Sequence, residues 1–200
     1  MESIKSREKL FEELIKAMEK ENIPYELTTL KRIFDYANKI YGDTKRYKGE
    51  STFSHAVHVA CIVTALKIGV NAVYAAVLHE CPKFEAFDKK QFEELFGEDV
   101  ATLVEDSSRL YLLNYDGQKD VEAEKLRKMF MAIAKDIRVV IIKLADRLYN
   151  MRNIELENEE FKKIKAHETL NVYAPIAHRL GMSELKSELE DISFSILNPE

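Results

Sequence analysis

The stretch FSHAVHVACIVTALKIGVNAVYAAVLHECP, residues 53–82, decides the fold that the sequence predicts. It is the most apolar segment of the chain, but polar residues, among them His55, His58, Lys67 and Asn71, interrupt it. A helix that crosses a membrane needs about 20 predominantly apolar residues in a row. The stretch therefore predicts two buried helices, one from about His55 to Lys67 and one from about Asn71 to Cys81, where the next proline ends it.

Helical spacing of apolar residues continues through the rest of the sequence. Leu10, Leu14 and Met18 recur at four-residue steps, as on one face of an amphipathic helix. The run RVVIIKLA, residues 138–145, is rich in β-branched residues and by itself resembles a buried strand. A helix is still favoured there, because the sequence offers no second strand-like run to pair with it. These patterns predict an all-α fold, a compact bundle of roughly eight to ten helices.

All 200 residues are expected to form a single domain, because the chain is long enough for one sizeable core and no linker or repeat divides it. Asp88 is expected to cap a helix that is broken at Gly97. The segment from Val121 to Arg152 is expected to form one long helix or two abutting ones.

The charge and the cysteine content of the chain indicate which binding partners and which cellular compartment to expect. The formal net charge is −5 and the pI is about 5.7, so no general basic field exists to attract nucleic acid, and an anionic ligand would need local Lys and Arg side chains. The N-terminal segment mixes charges of both signs and lacks the apolar core of a signal peptide. Cys61 and Cys81 form neither a close pair nor a disulfide framework. We therefore expect a cytoplasmic protein that binds neither nucleic acid nor membrane.

Two histidines and two carboxylates are the candidates for chemistry. His55 is expected to open one buried helix, His79 and Glu80 to end the next, and Asp146 follows the apolar run of a third. Such a set on three helices suits a divalent transition metal such as Mn, Fe or Zn. The alternative is that the histidines bond to backbone carbonyls at helix ends and that Asp146 forms a solvated pair with Arg147.

Four stretches resemble one family. They are RYKGE, LFGEDV, AEKLRKMFMAIAKDIRVVIIKLADRLYNMR and ETLNVYAPIAHRLGMSELKSELEDISF. They resemble the hydrolase domain of the RelA/SpoT homologues, which are HD-domain phosphohydrolases that remove the 3′-pyrophosphate from the alarmones ppGpp and pppGpp. The resemblance extends over nearly the whole chain and implies the all-helical HD-domain fold. It also implies a metal and nucleotide site built from residues 41–55, 79–88 and 143–153.

The resemblance assigns roles residue by residue. His55, His79, Glu80 and Asp146 match the H…HD…D metal ligands of the family, whose metal is usually manganese and activates water for attack on the phosphate. The residues that match or flank the nucleotide site are Arg46, which would stack on the guanine base, Asn150, which would make a polar contact, and Lys143 and Arg147, which would face phosphates. A solvated helix face is the alternative for Lys143 and Arg147.

Two departures from the family affect catalysis. Glu80 stands where the family has aspartate, which displaces the carboxylate by about one C–C bond, ~1.5 Å. Lys83 and Phe84 stand where active hydrolases carry the Glu-Asp pair that orients water and moves its proton. Glu85 and Asp88 are the candidate substitutes for that catalytic pair.

Two functions remain open at this point. The first is a ppGpp 3′-pyrophosphohydrolase in which hydrolysis is impaired or lost. The second is a non-catalytic domain that binds guanine nucleotides or regulates a synthetase domain in a longer chain.

Overall fold

A computed structural model describes residues 4–46, 49–110 and 119–199. Helices make up nearly all of this part of the chain, and the one β contact among the described residues is an isolated antiparallel bridge between Lys45 and Ser51. The predicted all-α class is therefore confirmed. None of the described helices is both long and apolar enough to cross a lipid bilayer. Contacts divide the chain into two compact units, one up to Arg109 and one from Leu110 onward.

The first unit is built around two helices that are buried on nearly all sides. Its helices are α1 (Ile4–Lys20), α2 (Leu27–Tyr41), α3 (Thr52–Ala65), α4 (Val70–Leu78), α5 (Lys89–Phe96) and α6 (Glu98–Arg109). The central pair is α3 and α4, and the amphipathic helices α1, α2 and α6 pack their apolar faces on it. This pair is the one that the apolar stretch predicts.

Helix α3 begins at Thr52, three residues before its predicted start. The Ser51 side chain caps it by accepting a hydrogen bond from the Ser54 N–H at 2.9 Å, which satisfies one of the free donors of the first turn. A turn follows the helix and closes at Gly69, whose φ of 99° suits a residue without a side chain.

The end of α4 carries the residues of interest in a tight turn. The helix ends at Leu78, and His79 and Glu80 keep right-handed helical angles beyond it. A 3₁₀ turn, Cys81–Lys83, follows with a proline in its middle. The proline therefore lies inside the turn, and the helix stops three residues earlier than the predicted Cys81.

Helices α5 and α6 confirm the predicted cap and break. The Asp88 carboxylate accepts a hydrogen bond from the Gln91 N–H at 3.0 Å at the start of α5. Gly97, with a φ of 85°, then ends α5 and separates it from α6.

The second unit packs around one buried helix. Its helices are α7 (Lys119–Lys135), α8 (Ile137–Arg152), α9 (Glu159–Glu168), α10 (Ala174–Arg179) and α11 (Ser183–Leu197), with a π-helical segment, Thr169–Tyr173, between α9 and α10. Asp136 leaves helical geometry and caps α8, accepting from the Arg138 N–H at 2.9 Å, so the segment from Val121 to Arg152 is two abutting helices. The run RVVIIKLA is helical as predicted, and α7 and α11 cover it.

Candidate metal centre

Three of the predicted ligands come together in the first unit. His55 on α3 is 0% exposed, and His79 and Glu80 after α4 are 1% and 4% exposed. One donor atom from each of these side chains lies within 4.8 Å of the other two. The two imidazole rings are 5.5 Å apart between centroids. Because α3 and α4 pack against each other, these three residues, which are distant in the sequence, form a compact cluster of two imidazoles and one carboxylate.

The orientation of His79 is fixed by the backbone of its own helix. Its Nδ1 lies 2.6 Å from the Ala76 carbonyl oxygen, which can only accept, so Nδ1 carries a proton. Nε2 then points to the Glu80 Oε1 at 3.2 Å. A histidine nitrogen and a carboxylate oxygen are both ligands that a divalent transition metal accepts. Metal-ligating histidines are commonly oriented by such a hydrogen bond from the second ring nitrogen.

Tyr41, a residue that the sequence analysis missed, holds the turn that carries the cluster. Its buried hydroxyl donates to the Val77 carbonyl at 2.8 Å and accepts from the Glu80 N–H at 3.3 Å. Burial raises the pKa of Tyr41, so the hydroxyl stays protonated near neutral pH. Burial likewise raises the pKa of Cys81 to about 12, which leaves this neighbouring thiol protonated and unreactive.

Lys83 and Phe84, which follow the cluster in the sequence, both contact its surroundings. The Lys83 ammonium lies 2.8 Å from Glu80 Oε1 and 2.7 Å from Oε2, so it bonds to both carboxylate oxygens. The Phe84 ring packs on the Tyr41 ring with 5.5 Å between centroids. The candidate substitutes Glu85 and Asp88 are both exposed, and Asp88 serves as the cap of α5.

The loop before α3 adds a second acidic side chain. A Glu50 carboxylate oxygen lies 4.0 Å from His55 Nδ1. The Arg46 N–H donates to the Glu50 carbonyl at 2.7 Å. Glu50 has no assigned role in the sequence analysis although it lies in the RYKGE motif, and the half-buried Arg46 is the predicted partner of the guanine base.

Asp146, the other predicted ligand, lies in the second unit with both oxygens engaged on one face of α8. Lys143 Nζ donates to Oδ2 at 3.1 Å, and Asn150 Nδ2 donates to Oδ1 at 3.0 Å. Asp146 and Lys143 are both buried. The alternative of a solvated pair between Asp146 and Arg147 is therefore wrong, because the aspartate is buried and pairs with Lys143.

Arg147 is buried as well, so the alternative of a solvated helix face for Lys143 and Arg147 is also wrong. Its guanidinium lies 4.1 Å from the Tyr173 ring centroid and donates to Glu168 at 2.7 Å. Lys125 also donates to Glu168, and Lys165 does so at 3.0 Å. Burial by itself raises the pKa of Glu168, but these three cations hold it below its ordinary value.

The fold and the cluster define an all-α protein with a candidate site for a divalent metal. The HD domain family matches residues 34–183. This match extends over most of the chain, and the chain belongs to the HD domain family.

Curated relatives confirm the resemblance to the RelA/SpoT homologues. The chain is 37% identical over 171 residues to the GTP pyrophosphokinase rsh of Brucella ovis, covering 86% of this chain and 23% of that protein. It is 38% identical over 174 residues to the bifunctional (p)ppGpp synthase/hydrolase SpoT of Escherichia coli K12, covering 87% of this chain and 25% of that protein. The chain thus spans about a quarter of the length of these relatives.

A solved structure supports the fold. It is described as a metazoan ortholog of SpoT that hydrolyzes ppGpp, and it matches with a TM-score of 0.56 at 20% identity. The match covers 87% of this chain and 96% of that chain. The expected HD-domain fold is confirmed.

Proposed function

We propose that this chain is an HD-domain protein of the guanosine-3′,5′-bis(diphosphate) 3′-pyrophosphohydrolase type in which hydrolysis is impaired or lost. The observation that carries the proposal is the buried cluster of His55, His79 and Glu80 with Lys83 bonded to its carboxylate. Relatives named for ppGpp hydrolysis or synthesis support the substrate class.

The cluster fits a divalent metal, and we propose manganese. Two ligands of one ion at metal–ligand distances of about 2.1 Å lie roughly 3 to 3.4 Å apart. His79 Nε2 and Glu80 Oε1, at 3.2 Å, are spaced in this way. When bound, the metal would polarise the scissile phosphate and activate water. Asp146 stays a predicted further ligand.

The impairment follows from the groups at positions 83 and 84. A lysine ammonium held by a carboxylate cannot accept a proton, and a phenylalanine has no group that can. Loss of a general base typically lowers the rate by about 10²–10⁴-fold. Asp88 and Glu85 are both exposed, and Asp88 caps α5 with one carboxylate oxygen, so both would act as a base only from outside the buried cluster.

The nucleotide would be held by local cations. We propose that Arg46 stacks on guanine, that Asn150 makes a polar contact and that Lys143 and Arg147 face the phosphates of ppGpp or pppGpp. The second candidate function is a non-catalytic guanine-nucleotide-binding or regulatory domain, within a longer synthetase/hydrolase. The engagement of Lys83 and Phe84 in local contacts favours it, because neither residue supplies a carboxylate for catalysis.

The test is release of pyrophosphate from ppGpp with added Mn²⁺, together with equilibrium binding of ppGpp on the same sample. We expect binding, with turnover at least about 10²-fold below that of the hydrolase region of Escherichia coli SpoT. Residual turnover should disappear in His79→Ala. Turnover equal to that of SpoT would contradict the impairment, and absence of both binding and turnover would contradict the nucleotide function.

A further inference from the structure

The Glu80 carboxylate contacts both the histidine cluster, which is the proposed metal site, and the ammonium group of Lys83. On one side its Oε1 faces His79 Nε2 at 3.2 Å within the buried cluster. On the other side the Lys83 ammonium bonds to both of its oxygens, at 2.8 and 2.7 Å. The carboxylate is therefore already neutralised by a cation that belongs to the chain.

A divalent ion at the cluster would share this carboxylate with the ammonium. Two cations on one carboxylate repel each other, and the repulsion is strong where burial lowers the dielectric constant. The Lys83 ammonium can move away from Glu80 into solvent, because 42% of its side chain is exposed and its four-carbon stem is flexible. The Glu80 side chain is only 6% exposed, so it cannot move into solvent in the same way. Metal binding at Glu80 is thus coupled to movement of the lysine toward water.

We propose that Lys83 is an internal competitor of the metal: its ammonium binds the Glu80 carboxylate and must be displaced when a divalent cation binds. The inference rests on the proposed metal site and adds to it a residue that sets the metal affinity. Lys83 is a positioning residue, since it acts through Glu80.

If Lys83 competes with the metal, removing its ammonium should change the Mn²⁺ affinity and the stability of the metal-free protein in opposite directions. Replacing Lys83 by methionine removes the competing cation, so Mn²⁺ should bind more tightly. The same change leaves a buried carboxylate without that partner, so the chelator-treated protein should be less stable. A lysine with a merely structural role would lower stability without tightening Mn²⁺ binding.

The experiment measures Mn²⁺ affinity by isothermal titration calorimetry on the chelator-treated chain, with thermal unfolding on the same samples. Lys83→Met should bind Mn²⁺ about 10- to 100-fold more tightly than wild type, the range expected for one charged hydrogen-bonded contact. Lys83→Arg keeps the cation and should stay within about threefold of wild type. Lys90→Met is the matched control, because it removes an exposed lysine of α5 from the same unit.

The outcomes separate this inference from the proposed function. Equal Mn²⁺ affinity in folded wild type and Lys83→Met would overturn the competition and leave the metal site standing. If Lys83→Met does not fold, Lys83→Gln makes the same test with a neutral polar side chain. Absence of Mn²⁺ binding in wild type, Lys83→Met and His79→Ala alike would overturn the metal site and the competition together.

Discussion

Tyr36 and Tyr41 lie on the same helix but use their hydroxyl groups differently. The Tyr41 hydroxyl joins the Val77 carbonyl to the Glu80 N–H, whereas the buried Tyr36 hydroxyl has no hydrogen-bond partner among the described residues. Tyr41→Phe should therefore lower the free energy of unfolding by about 1–3 kcal/mol, because it leaves buried backbone groups unsatisfied. It should also weaken Mn²⁺ binding, since the turn that carries Glu80 loses its anchor.

Tyr36→Phe is the matched control for this prediction. It removes the same atom from the same helix and should leave stability within about 0.5 kcal/mol of wild type. Urea denaturation and Mn²⁺ titration measure both effects. Equal stability of the two variants would show that the Tyr41 hydroxyl does not hold the turn.

Lys83 and Phe84 lie next to the cluster but supply no carboxylate to it. Lys83→Glu combined with Phe84→Asp supplies two carboxylates next to the cluster and removes the ammonium from Glu80. We expect Mn²⁺-dependent release of pyrophosphate from ppGpp to rise by about 10²-fold or more, because a general base is worth about that much. Lys90→Glu combined with Gln91→Asp, at two exposed positions of α5, makes the same change in net charge and is the control. A folded double variant that binds Mn²⁺ and ppGpp without a gain in turnover would place the defect elsewhere.

At the scale of helices, Glu168 joins three elements of the second unit. It ends α9 and accepts hydrogen bonds from Lys125 on α7 and Arg147 on α8. Glu168→Gln should lower the free energy of unfolding by about 3–5 kcal/mol, because it leaves buried cations without their counter-charge. Glu188→Gln, which breaks the exposed pair with Arg152, should change it by less than about 1 kcal/mol. Urea denaturation at pH 7 distinguishes the two, and similar losses would contradict the importance of burial.

The same carboxylate predicts a dependence on pH. Burial raises the pKa of Glu168, but Arg147, Lys165 and Lys125 outweigh it, so the folded value lies below the ordinary 4.5. A group with a lowered pKa in the folded state stabilises the protein fully above its unfolded pKa and loses this effect as pH falls toward the folded value. Wild type should lose stability below about pH 4.5, and Glu168→Gln should lose less over the same interval. Parallel pH profiles of the two proteins would contradict this assignment.

The helices were predictable because their patterns are local, whereas several contacts of the site were not. Apolar spacing and Asp88 located α3, α4 and α5 to within about three residues. Tyr41 was missed because its partner carbonyl lies 36 residues away on another helix. The partner of Arg147 lies 21 residues away, at the end of α9. Sequence periodicity shows which face of a helix is buried, but not which polar groups of distant helices meet there.

The two compact units of the chain could unfold together or separately. The sequence predicts one domain of 200 residues, while contacts divide the chain into two compact units. A single domain should unfold in one transition, with far-UV circular dichroism and tyrosine fluorescence changing together. Tyrosines report on both units, since Tyr41 lies in the first and Tyr173 in the second.

Mn²⁺ binding at the proposed site distinguishes unfolding of the whole chain from separate unfolding of the unit that carries His79. An ion that binds the folded state at 100 times its dissociation constant raises the free energy of unfolding by about 2.7 kcal/mol. If the chain is one domain, the whole helical signal should shift to higher temperature with Mn²⁺, and the shift should be absent in His79→Ala. Thermal unfolding followed by circular dichroism, with and without chelator, measures this. A shift confined to part of the signal would mean that the unit carrying His79 unfolds separately, and the single-domain prediction would then be wrong while the metal site stands.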